Sequence, residues 1–318
     1  MTILVVIEHD RGALSPASLE ALAAARSIDP AVHALTLGAA ADGLAAELGA
    51  HGAAVVHQVH DAVLGDYGPE AWGESVAQAV RALSPDAVLA CGTDRGNEVM
   101  AQAAARLDLP FVANCLEFEV GPTWTITRVR WGGSLLEKCT LSSSGARLVS
   151  VAHHAFEAAE APAAGAAQSL AVSLDPSLAR TVVVERVERA AGVTLATSPF
   201  VIGGGRGVGS AEAFAPLEEL AALMGGVVGC SRAVTNNGWR NHTDQVGQTG
   251  TRIAPDLYVA CGISGAIQHW VGAMASKKIL AINTDKDANM VTKADYAVIG
   301  DLHKIIPAVS AEIQRRRS

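Results

Sequence analysis

Aromatic and charged residues are scarce in this 318-residue sequence, at 4% and 18%, and 32 Asp and Glu outnumber 24 Lys and Arg. The acidic balance and the lack of a basic stripe argue against nucleic acid as the main ligand. No apolar run approaches the ~18 residues that a membrane-spanning helix needs, so membrane insertion is not expected. The long uncharged stretch at residues 190–205 is interrupted by Gly, Ser, Thr and Pro.

Cysteine is also scarce. The five cysteines are widely spaced and form no C-x-x-C pair. This spacing gives no support for an iron–sulfur or structural zinc site, and an odd count is no disulfide framework. The sequence passes from Met1 directly into the apolar segment 3–7, with no secretory or transit peptide before it. We therefore expect a cytoplasmic protein of bacterial origin.

Short apolar segments alternate with helical patterns in the first third of the chain, which is typical of a parallel sheet covered on both faces. Strands are predicted at 3–8, 32–37, 53–59 and 86–90, and helices at 16–26, 41–48, 69–83 and 98–107. Four further strand patterns follow, at 116–120, 123–129, 134–141 and 147–152. They show few helical features, so we expect them to extend one edge of this sheet as antiparallel strands.

A second alternation of strands and helices begins at Phe200. It predicts strands at 200–202, 227–229, 257–260, 279–282 and 295–299 and helices at 212–224, 265–275 and 302–317. The alanine-rich stretch 157–169 is interpreted as a linker, with an alanine helix as the alternative. We expect an α/β protein of two domains: an N-terminal parallel sheet with antiparallel edge strands over residues 1–160, a linker over 161–179, and a doubly wound domain over 180–318.

A glycine-rich turn, GGGRG at residues 203–207, separates the strand at 200–202 from its helix. Such a turn lets backbone N–H groups face a phosphate, and Arg206 adds a fixed cation suited to a pyrophosphate. The turn does not match G-x-G-x-x-G, because Val208 stands where the last glycine belongs. Ser231 and Arg232 stand where an acidic residue would hold a ribose. The dinucleotide fingerprint of NAD enzymes therefore fails.

Two more strings of small and polar residues lie beside predicted strands. QVGQTG, residues 245–250, predicts a loop able to wrap a flat polar ligand. LYVACGISGAIQH, residues 257–269, predicts a strand, a turn and the start of a helix with Ser264 as its N-cap. Free N–H groups at such a helix start suit a phosphate or a ribityl hydroxyl, with Gln268 and His269 about one turn further on.

Together these strings resemble the α subunit of electron transfer flavoprotein, the FixB family. GGGRG, SR, QVGQTG and LYVACGISGAIQH occur in the same order and spacing, and the resemblance is nearly continuous from Phe200 to the C-terminus. It implies that the second domain binds FAD. It also implies a first domain like an adenine-nucleotide hydrolase but without a catalytic site, which packs on a β subunit that carries AMP.

The resemblance also implies which residues hold FAD. Arg206 is expected at the phosphates or ribityl chain, Arg232 beside the isoalloxazine, the hydroxyl of Thr249 near N5, and His269 at O2. The expected set is Arg206, Ser231, Arg232, Gln245, Val246, Gly247, Gln248, Thr249, Ser264, Gly265, Ala266, Ile267, Gln268, His269, Asn283, Asp301 and Leu302, the last three at the adenosine end.

An electron carrier with no substrate chemistry of its own is the function that the resemblance implies. It would accept electrons from flavin dehydrogenases, such as acyl-CoA dehydrogenases, and pass them singly to a quinone oxidoreductase. A cation beside O2 favours the negative charge added on one-electron reduction and raises the first reduction potential; His269 or Arg232 is expected to supply it. Two segments, 234–244 and 284–290, depart from the commoner family pattern, so the potential, the donor and a bifurcating role stay open.

Two other functions remain as alternatives. An NADP-dependent oxidoreductase would use one of the arginines to bind a 2′-phosphate, and a non-redox sensor of adenine nucleotides would use the first domain. The histidines outside the motifs are interpreted structurally. His153 and His154 are candidate ligands, but we expect them to end an exposed strand, and His57 and His60 lack a third ligand for a metal.

Overall fold

The computed structural model describes residues 1–184 and 193–317. The chain forms two compact units, and of the described residues the first holds 1–131 and 135–184 and the second holds 132–134 and 193–317. This confirms the predicted α/β organisation, while residues 185–192 and 318 of the predicted second domain lie outside the described part. Among the described residues, no helix is long and apolar enough to cross a membrane.

The first unit is built on a nine-stranded sheet. The strands of this unit in chain order, nine in the sheet and two in a separate hairpin, are β1 (Ile3–Val6), β2 (His9–Asp10), β3 (Ala13–Leu14), β4 (Val32–Leu37), β5 (Val55–Val59), β6 (Ala87–Cys91), β7 (Phe111–Glu119), β8 (Trp124–Arg130), β9 (Leu135–Leu141), β10 (Arg147–Val151) and β11 (Ala166–Ser169). Its helices are α1 (Pro16–Ile28), α2 (Ala45–Ala50), α3 (Pro69–Leu83) and α4 (Asp94–Leu107). The sheet order is β11-β5-β4-β1-β6-β10-β7-β8-β9, and β2 and β3 form a separate hairpin.

Apolar residues on both faces of β1 explain why helices cover this sheet on two sides. Val5 belongs to an apolar cluster with Leu22 of α1, whereas Leu4 belongs to another with Val76 of α3. Successive residues of a strand point to opposite faces, so a strand without polar residues needs cover on each side. The buried strand predicted at the start of the chain is confirmed.

The antiparallel edge is confirmed for β7, β8 and β9, which pair antiparallel in that order. β10 differs from the prediction, because it lies between β6 and β7 and is parallel to both. Leu148, Val149 and Val151 of β10 are almost fully buried. Since these residues cover both of its faces, β10 has the composition of an interior strand of a parallel sheet.

Residues 161–179, expected to form a linker, belong to the first unit instead. β11 pairs in parallel with β5 at the edge of the sheet, and Leu174 packs into one of the two apolar clusters. The sequence of this strand, AAQS, does not predict it, because it has no β-branched or aromatic residue. Pairing starts just before it, where the N–H of Gly165 donates to the carbonyl of Ala53 at 2.9 Å. The linker and the alanine helix are therefore both wrong here.

The second unit is built on a five-stranded parallel sheet. Its strands are β12 (Phe200–Gly204), β13 (Val227–Cys230), β14 (Leu257–Cys261), β15 (Ile279–Asn283) and β16 (Tyr296–Ile299), in the order β13-β12-β14-β15-β16. Its helices are α5 (Ala215–Met224), α6 (Arg232–Asn236), α7 (Ile267–Ala273), α8 (Asn289–Lys293) and α9 (Leu302–Arg317). Every strand pair is parallel, so the five carboxyl ends lie at one edge.

Each strand predicted for this unit is present, but two helices begin later than predicted. α5 begins at Ala215 after a 3-10 turn at Glu212–Phe214, and α7 begins at Ile267 rather than at 265. Gly265 explains the second difference, because its φ is +77° and a Cβ there would lie 2.3 Å from the backbone nitrogen of Met290. A glycine in this left-handed conformation lies before the helix rather than within it.

Candidate functional site

The polar residues identified in the sequence lie at the carboxyl ends of the five strands of the second sheet. Arg206 follows β12, Ser231 follows β13, Ser264 follows β14, Asn283 ends β15 and Asp301 follows β16. The strand order changes direction at β12, which has β13 on one side and β14 on the other. Open parallel sheets bind ligands in the crevice at such a point, so the motifs share one candidate binding edge.

The glycine-rich turn after β12 packs against the turn after β14. A Cβ on Gly205 would lie 2.2 Å from the carbonyl oxygen of Gly262. The N–H groups of Gly205 and Gly207 donate to the carbonyls of Cys261 and Gly262, at 2.8 and 3.1 Å. These glycines therefore let two strand ends touch backbone to backbone, and two of the N–H groups expected at a phosphate are used within the protein.

Two arginines at this edge have exposed guanidinium groups. Arg206 lies in the 3-10 turn after β12, and Arg232 is the first residue of α6. Within residues 1–184 and 193–317, neither guanidinium has an ion-pair or hydrogen-bond partner. A planar guanidinium binds phosphate through two parallel hydrogen bonds, so both arginines suit an anionic ligand.

The loop at residues 245–250 lies against the start of α7. The N–H of Gln248 donates to the carbonyl of Gln268 at 2.7 Å, and a Cβ on Gly272 would lie 2.3 Å from Cα of Gly247. This close approach brings the exposed residues Gln248 and Thr249 beside the turn that opens α7. The structure therefore brings two of the predicted binding motifs together.

Gln245 and Val246 are buried and support this loop. The amide nitrogen of Gln245 donates to the hydroxyl of Thr249 at 2.9 Å, and its amide oxygen accepts from the hydroxyl of Thr235 at 3.0 Å. The N–H of Val246 donates to the carbonyl of Cys230 at 2.9 Å. Gln245 therefore positions Thr249, whose hydroxyl proton is left to donate to another group.

Ser264 does not cap α7, so this prediction is wrong. α7 begins at Ile267, Ala266 occupies the N-cap position, and no side chain accepts from the first turn. Ser264 lies two residues before that position, and its carbonyl accepts from the N–H of Met290 at 3.2 Å. The polar side chains of Ser264 and Gln268 are exposed, so in the described part of the chain this edge presents them beside an uncapped helix start.

His269 is the buried polar group of this region. It is 6% exposed, and its Nε2 lies 2.8 Å from the hydroxyl of the fully buried Tyr258. Its Nδ1 is buried and has no hydrogen bond of normal geometry among the described residues. Burial lowers the pKa of His269 to about 4, against a smaller opposite effect from the backbone of Val246. The ring is therefore neutral near pH 7, and the expectation of a cation at His269 is wrong.

The residues expected at the adenosine end are tied into the protein. The amide nitrogen of Asn283 donates to the carbonyl of Ile263 at 3.1 Å, and its amide oxygen accepts from the N–H two residues on at 3.1 Å. Asp301 accepts from the N–H of His303 at 3.0 Å, as an N-cap of α9 does. Leu302 is 6% exposed and packs in the apolar core. These residues shape this end of the edge, and the side chain of Leu302 is turned away from solvent.

Tyr258 is the residue of this site that sequence reasoning missed. Burial raises its pKa well above the usual value, so its hydroxyl stays protonated. A Cβ on Gly203 of β12 would lie 2.2 Å from that hydroxyl. A glycine inside a strand often marks such a close approach, so Gly203 was the feature of the sequence that pointed to a large neighbour.

The described residues fit a cofactor that carries phosphates and a polar ring. Arg206 and Arg232 have no hydrogen-bond or ion-pair partner among these residues, and a phosphate or an electron-rich ring would supply one. The buried Nδ1 of His269 has no hydrogen bond of normal geometry among the described residues, so a polar group at the site would give it a partner. The hydroxyl of Thr249 supplies one more donor at the same edge.

Comparison with family models covers most of the chain. A model described as the electron transfer flavoprotein domain matches residues 3–177. A second model, described as the electron transfer flavoprotein FAD-binding domain, matches residues 194–274. The second match includes the glycine-rich turn, the loop at 245–250 and the start of α7.

Known relatives match nearly the full length. The chain is 34% identical to the electron transfer flavoprotein subunit alpha of Bacillus subtilis, over 98% of this chain and 97% of that one. It is also 34% identical to the subunit of the same name from Mycobacterium tuberculosis strain H37Rv, over 99% of each chain. A protein named FixB from Clostridium saccharobutylicum is 32% identical, over 98% of this chain and 95% of that one. The chain belongs to the electron transfer flavoprotein α-subunit family, and residues 194–274 of its second unit match the FAD-binding domain of that family.

Proposed function

We propose that this chain holds FAD at the carboxyl edge of its second sheet and works as one half of a heterodimeric electron carrier. It accepts electrons from flavin dehydrogenases, with acyl-CoA dehydrogenases as the first candidates, and passes them singly to a quinone oxidoreductase. One observation carries the proposal: the unpaired Arg206 and Arg232 and the buried His269 share the edge where the strand order changes direction. The chain has no substrate chemistry of its own and works in the bacterial cytoplasm.

The phosphates of FAD are assigned to Arg206 and to the uncapped start of α7. Arg206 is exposed and unpaired in the described residues, and Ser231 lies at the end of the neighbouring strand. Residues 264–268 bring exposed polar groups and the first N–H groups of the helix to the same edge. Backbone N–H groups at a helix start favour anions.

The flavin ring is assigned to Arg232, to the loop 245–249 and to His269. Bound FAD supplies the one-electron chemistry. The hydroxyl of Tyr258 stays protonated, lies 2.8 Å from Nε2 of His269 and has no other acceptor among the described residues, so we assign it as the donor, which leaves the imidazole proton on Nδ1. Nδ1 is therefore a neutral donor for a ring oxygen, while Thr249, held by Gln245, offers a hydroxyl donor.

A fixed positive charge at the ring is then assigned to Arg232 rather than to His269. Arginine keeps its charge at any physiological pH, whereas the pKa of His269, at about 4, leaves that ring neutral. A cation beside the ring favours the negative charge added on reduction. Arg232 therefore raises the first reduction potential, and His269 fixes the orientation of the ring.

The remaining assignments concern the adenosine end and the partner. Asn283, Asp301 and Leu302 border the adenosine, the first two through groups left over from their internal hydrogen bonds. The first unit packs on a β subunit that carries AMP. The match of residues 3–177 to the electron transfer flavoprotein domain supports this arrangement.

A reduction assay tests the proposed function. The chain is purified with its β subunit, and the flavin absorbance is followed after addition of a catalytic amount of acyl-CoA dehydrogenase and its acyl-CoA substrate. We expect the flavin bands to bleach with the dehydrogenase present and to stay unchanged with NADPH alone. Bleaching by NADPH alone would favour an NADP-dependent oxidoreductase. A colourless complex that binds adenine nucleotides would favour a nucleotide sensor.

A substitution tests the assignment of the charge. Arg232→Gln is expected to lower the first midpoint potential of the flavin by on the order of 50 mV while FAD stays bound. The matched control is Lys304→Gln, which removes an exposed cation from α9 and leaves the strand ends unchanged. Equal potentials in both variants would contradict the role of Arg232.

A further inference from the structure

A second group of polar side chains, Glu20, His153 and His154, comes together in the first unit. Each offers one ligand atom, and these atoms lie within 4.8 Å of one another. All three residues are partly buried. We propose that they bind a divalent transition-metal ion of the zinc type, at a site that is separate from the flavin edge and independent of FAD.

The fold, rather than the local sequence, brings these residues together. Glu20 lies in the second turn of α1, and the two histidines follow the carboxyl end of β10. His154 adopts a left-handed conformation with φ +60°, and its N–H donates to Oε2 of Glu20 at 2.7 Å. The backbone therefore holds one carboxylate oxygen in place and leaves the other to a ligand.

The two side chains are not on an exposed strand end, so that prediction for His153 and His154 is wrong. The side chains of His154 and Glu20 are only 15% and 13% exposed. The turn is anchored by the N–H of Ala152, which donates to the carbonyl of Cys115 at 2.8 Å. A carboxylate this well covered needs a compensating positive charge, and among the described residues its ion-pair partner is His154.

The spacing of the donor atoms suits a metal better than a direct hydrogen bond. Nδ1 of His154 lies 3.3 Å from Oε1 of Glu20, which is longer than the usual N–H···O distance of about 2.9 Å. Two ligands on one tetrahedral ion, with bonds of about 2.1 Å, lie about 3.4 Å apart. The imidazoles of His153 and His154 have their centroids 3.8 Å apart, so both rings lie close enough to share one ion.

The donor set selects the class of metal. Imidazole nitrogen suits zinc and its neighbours in the first transition row, whereas calcium and magnesium take oxygen ligands. Two histidines and one glutamate leave a fourth position of a tetrahedral ion for water. Such an ion would join α1 to the end of β10 and stabilise the first unit.

Zinc binding by the full complex tests the proposal. The chain, purified with its β subunit, is stripped with a chelator and dialysed against Zn²⁺ alone, and bound zinc is measured by elemental analysis. We expect the wild-type complex to bind one more Zn²⁺ than a variant carrying His153→Gln and His154→Asn, and to melt at a higher temperature with Zn²⁺ than without it. Asparagine tolerates the left-handed conformation of residue 154, and circular dichroism and flavin content report whether the variant folds.

A conservative variant and a matched control sharpen the test. Glu20→Gln still accepts the N–H of His154 but loses the charged ligand, so zinc binding should weaken at least about tenfold. His60→Gln removes an exposed imidazole whose Nε2 lies 2.8 Å from Asp42, a histidine–carboxylate pair outside the cluster, and should bind zinc as the wild type does. Equal zinc binding by wild type and the double variant overturns the proposal, and so does a failure of the wild type to bind; Glu20 and His154 are then an ion pair.

Discussion

Acid sensitivity of the second unit follows from the burial of His269. In the folded chain the pKa of this imidazole is lowered from 6.5 to about 4, mainly by desolvation. Between these two values the unfolded chain binds a proton that the folded chain does not bind, so stability falls as the pH falls. His269 is 6% exposed, so solvent screening does not remove the effect. We expect the contribution to be absent above pH 6.5 and complete near pH 4.

The magnitude follows from the shift of the pKa. One pH unit corresponds to about 1.4 kcal/mol per proton, so lowering the pH to 5 costs the second unit about 2 kcal/mol through His269 alone. His9, His33 and His57 of the first unit also have pKa values lowered by burial. They make that unit acid-sensitive too, so a variant is needed to isolate His269.

The assay compares urea unfolding of wild type and His269→Gln at pH 7 and pH 5, in complex with the β subunit. Release of flavin fluorescence follows the second unit. The wild type is expected to lose about 2 kcal/mol more than His269→Gln on this change of pH. His303→Gln, which removes an exposed imidazole from α9, is expected to behave as the wild type does.

Absolute stability is not the test, because His269→Gln also disturbs the hydrogen bond to Tyr258. The test is the dependence on pH. If wild type and His269→Gln lose the same free energy of unfolding between pH 7 and pH 5, the imidazole is not held neutral by burial. The assignment of the positive charge to Arg232 rather than to His269 would then be wrong.

Three further substitutions test the edge of the second sheet. Gly205→Ala should destabilise the second unit by about 1–3 kcal/mol in thermal unfolding, since its Cβ would meet backbone at 2.2 Å, whereas Gly43→Ala, with nothing within 4 Å, should change little. Arg206→Ala should weaken FAD retention on gel filtration, and an equal loss from Lys304→Ala would contradict a phosphate contact. Arg240→Ala removes the hydrogen bonds to Glu218 and Asp244, at 2.6 and 3.0 Å, and should lower the free energy of urea unfolding by on the order of 1 kcal/mol. An unchanged free energy of unfolding would contradict a stabilising role of these ion pairs.

Local sequence was enough to place much of the fold. α3 spans Pro69–Leu83 as predicted, because a proline at its first position and a periodic apolar face mark a helix by themselves. The strands of the second sheet are equally clear, because short apolar runs such as 257–260 alternate with helices. The same regularity places the binding motifs at strand ends, since parallel strands share one carboxyl edge.

Features that depend on distant residues were out of reach. β11 forms because β5 offers an open edge, although AAQS has little tendency to form a strand. The charge of His269 depends on how deeply Tyr258 and the loop 245–250 bury it, and a motif does not encode burial. Glu20 meets His154 only because α1 packs beside the end of β10. In each case the missing information is a tertiary contact.

FAD content is the measurement that tests the account most directly. The chain is purified with its β subunit, and the absorbance spectrum gives the flavin bound per α chain. We predict one FAD for each α chain, with bands near about 370 and about 450 nm, that bleaches on reduction by an acyl-CoA dehydrogenase with its substrate. A colourless complex that also fails to take up added FAD would contradict the account.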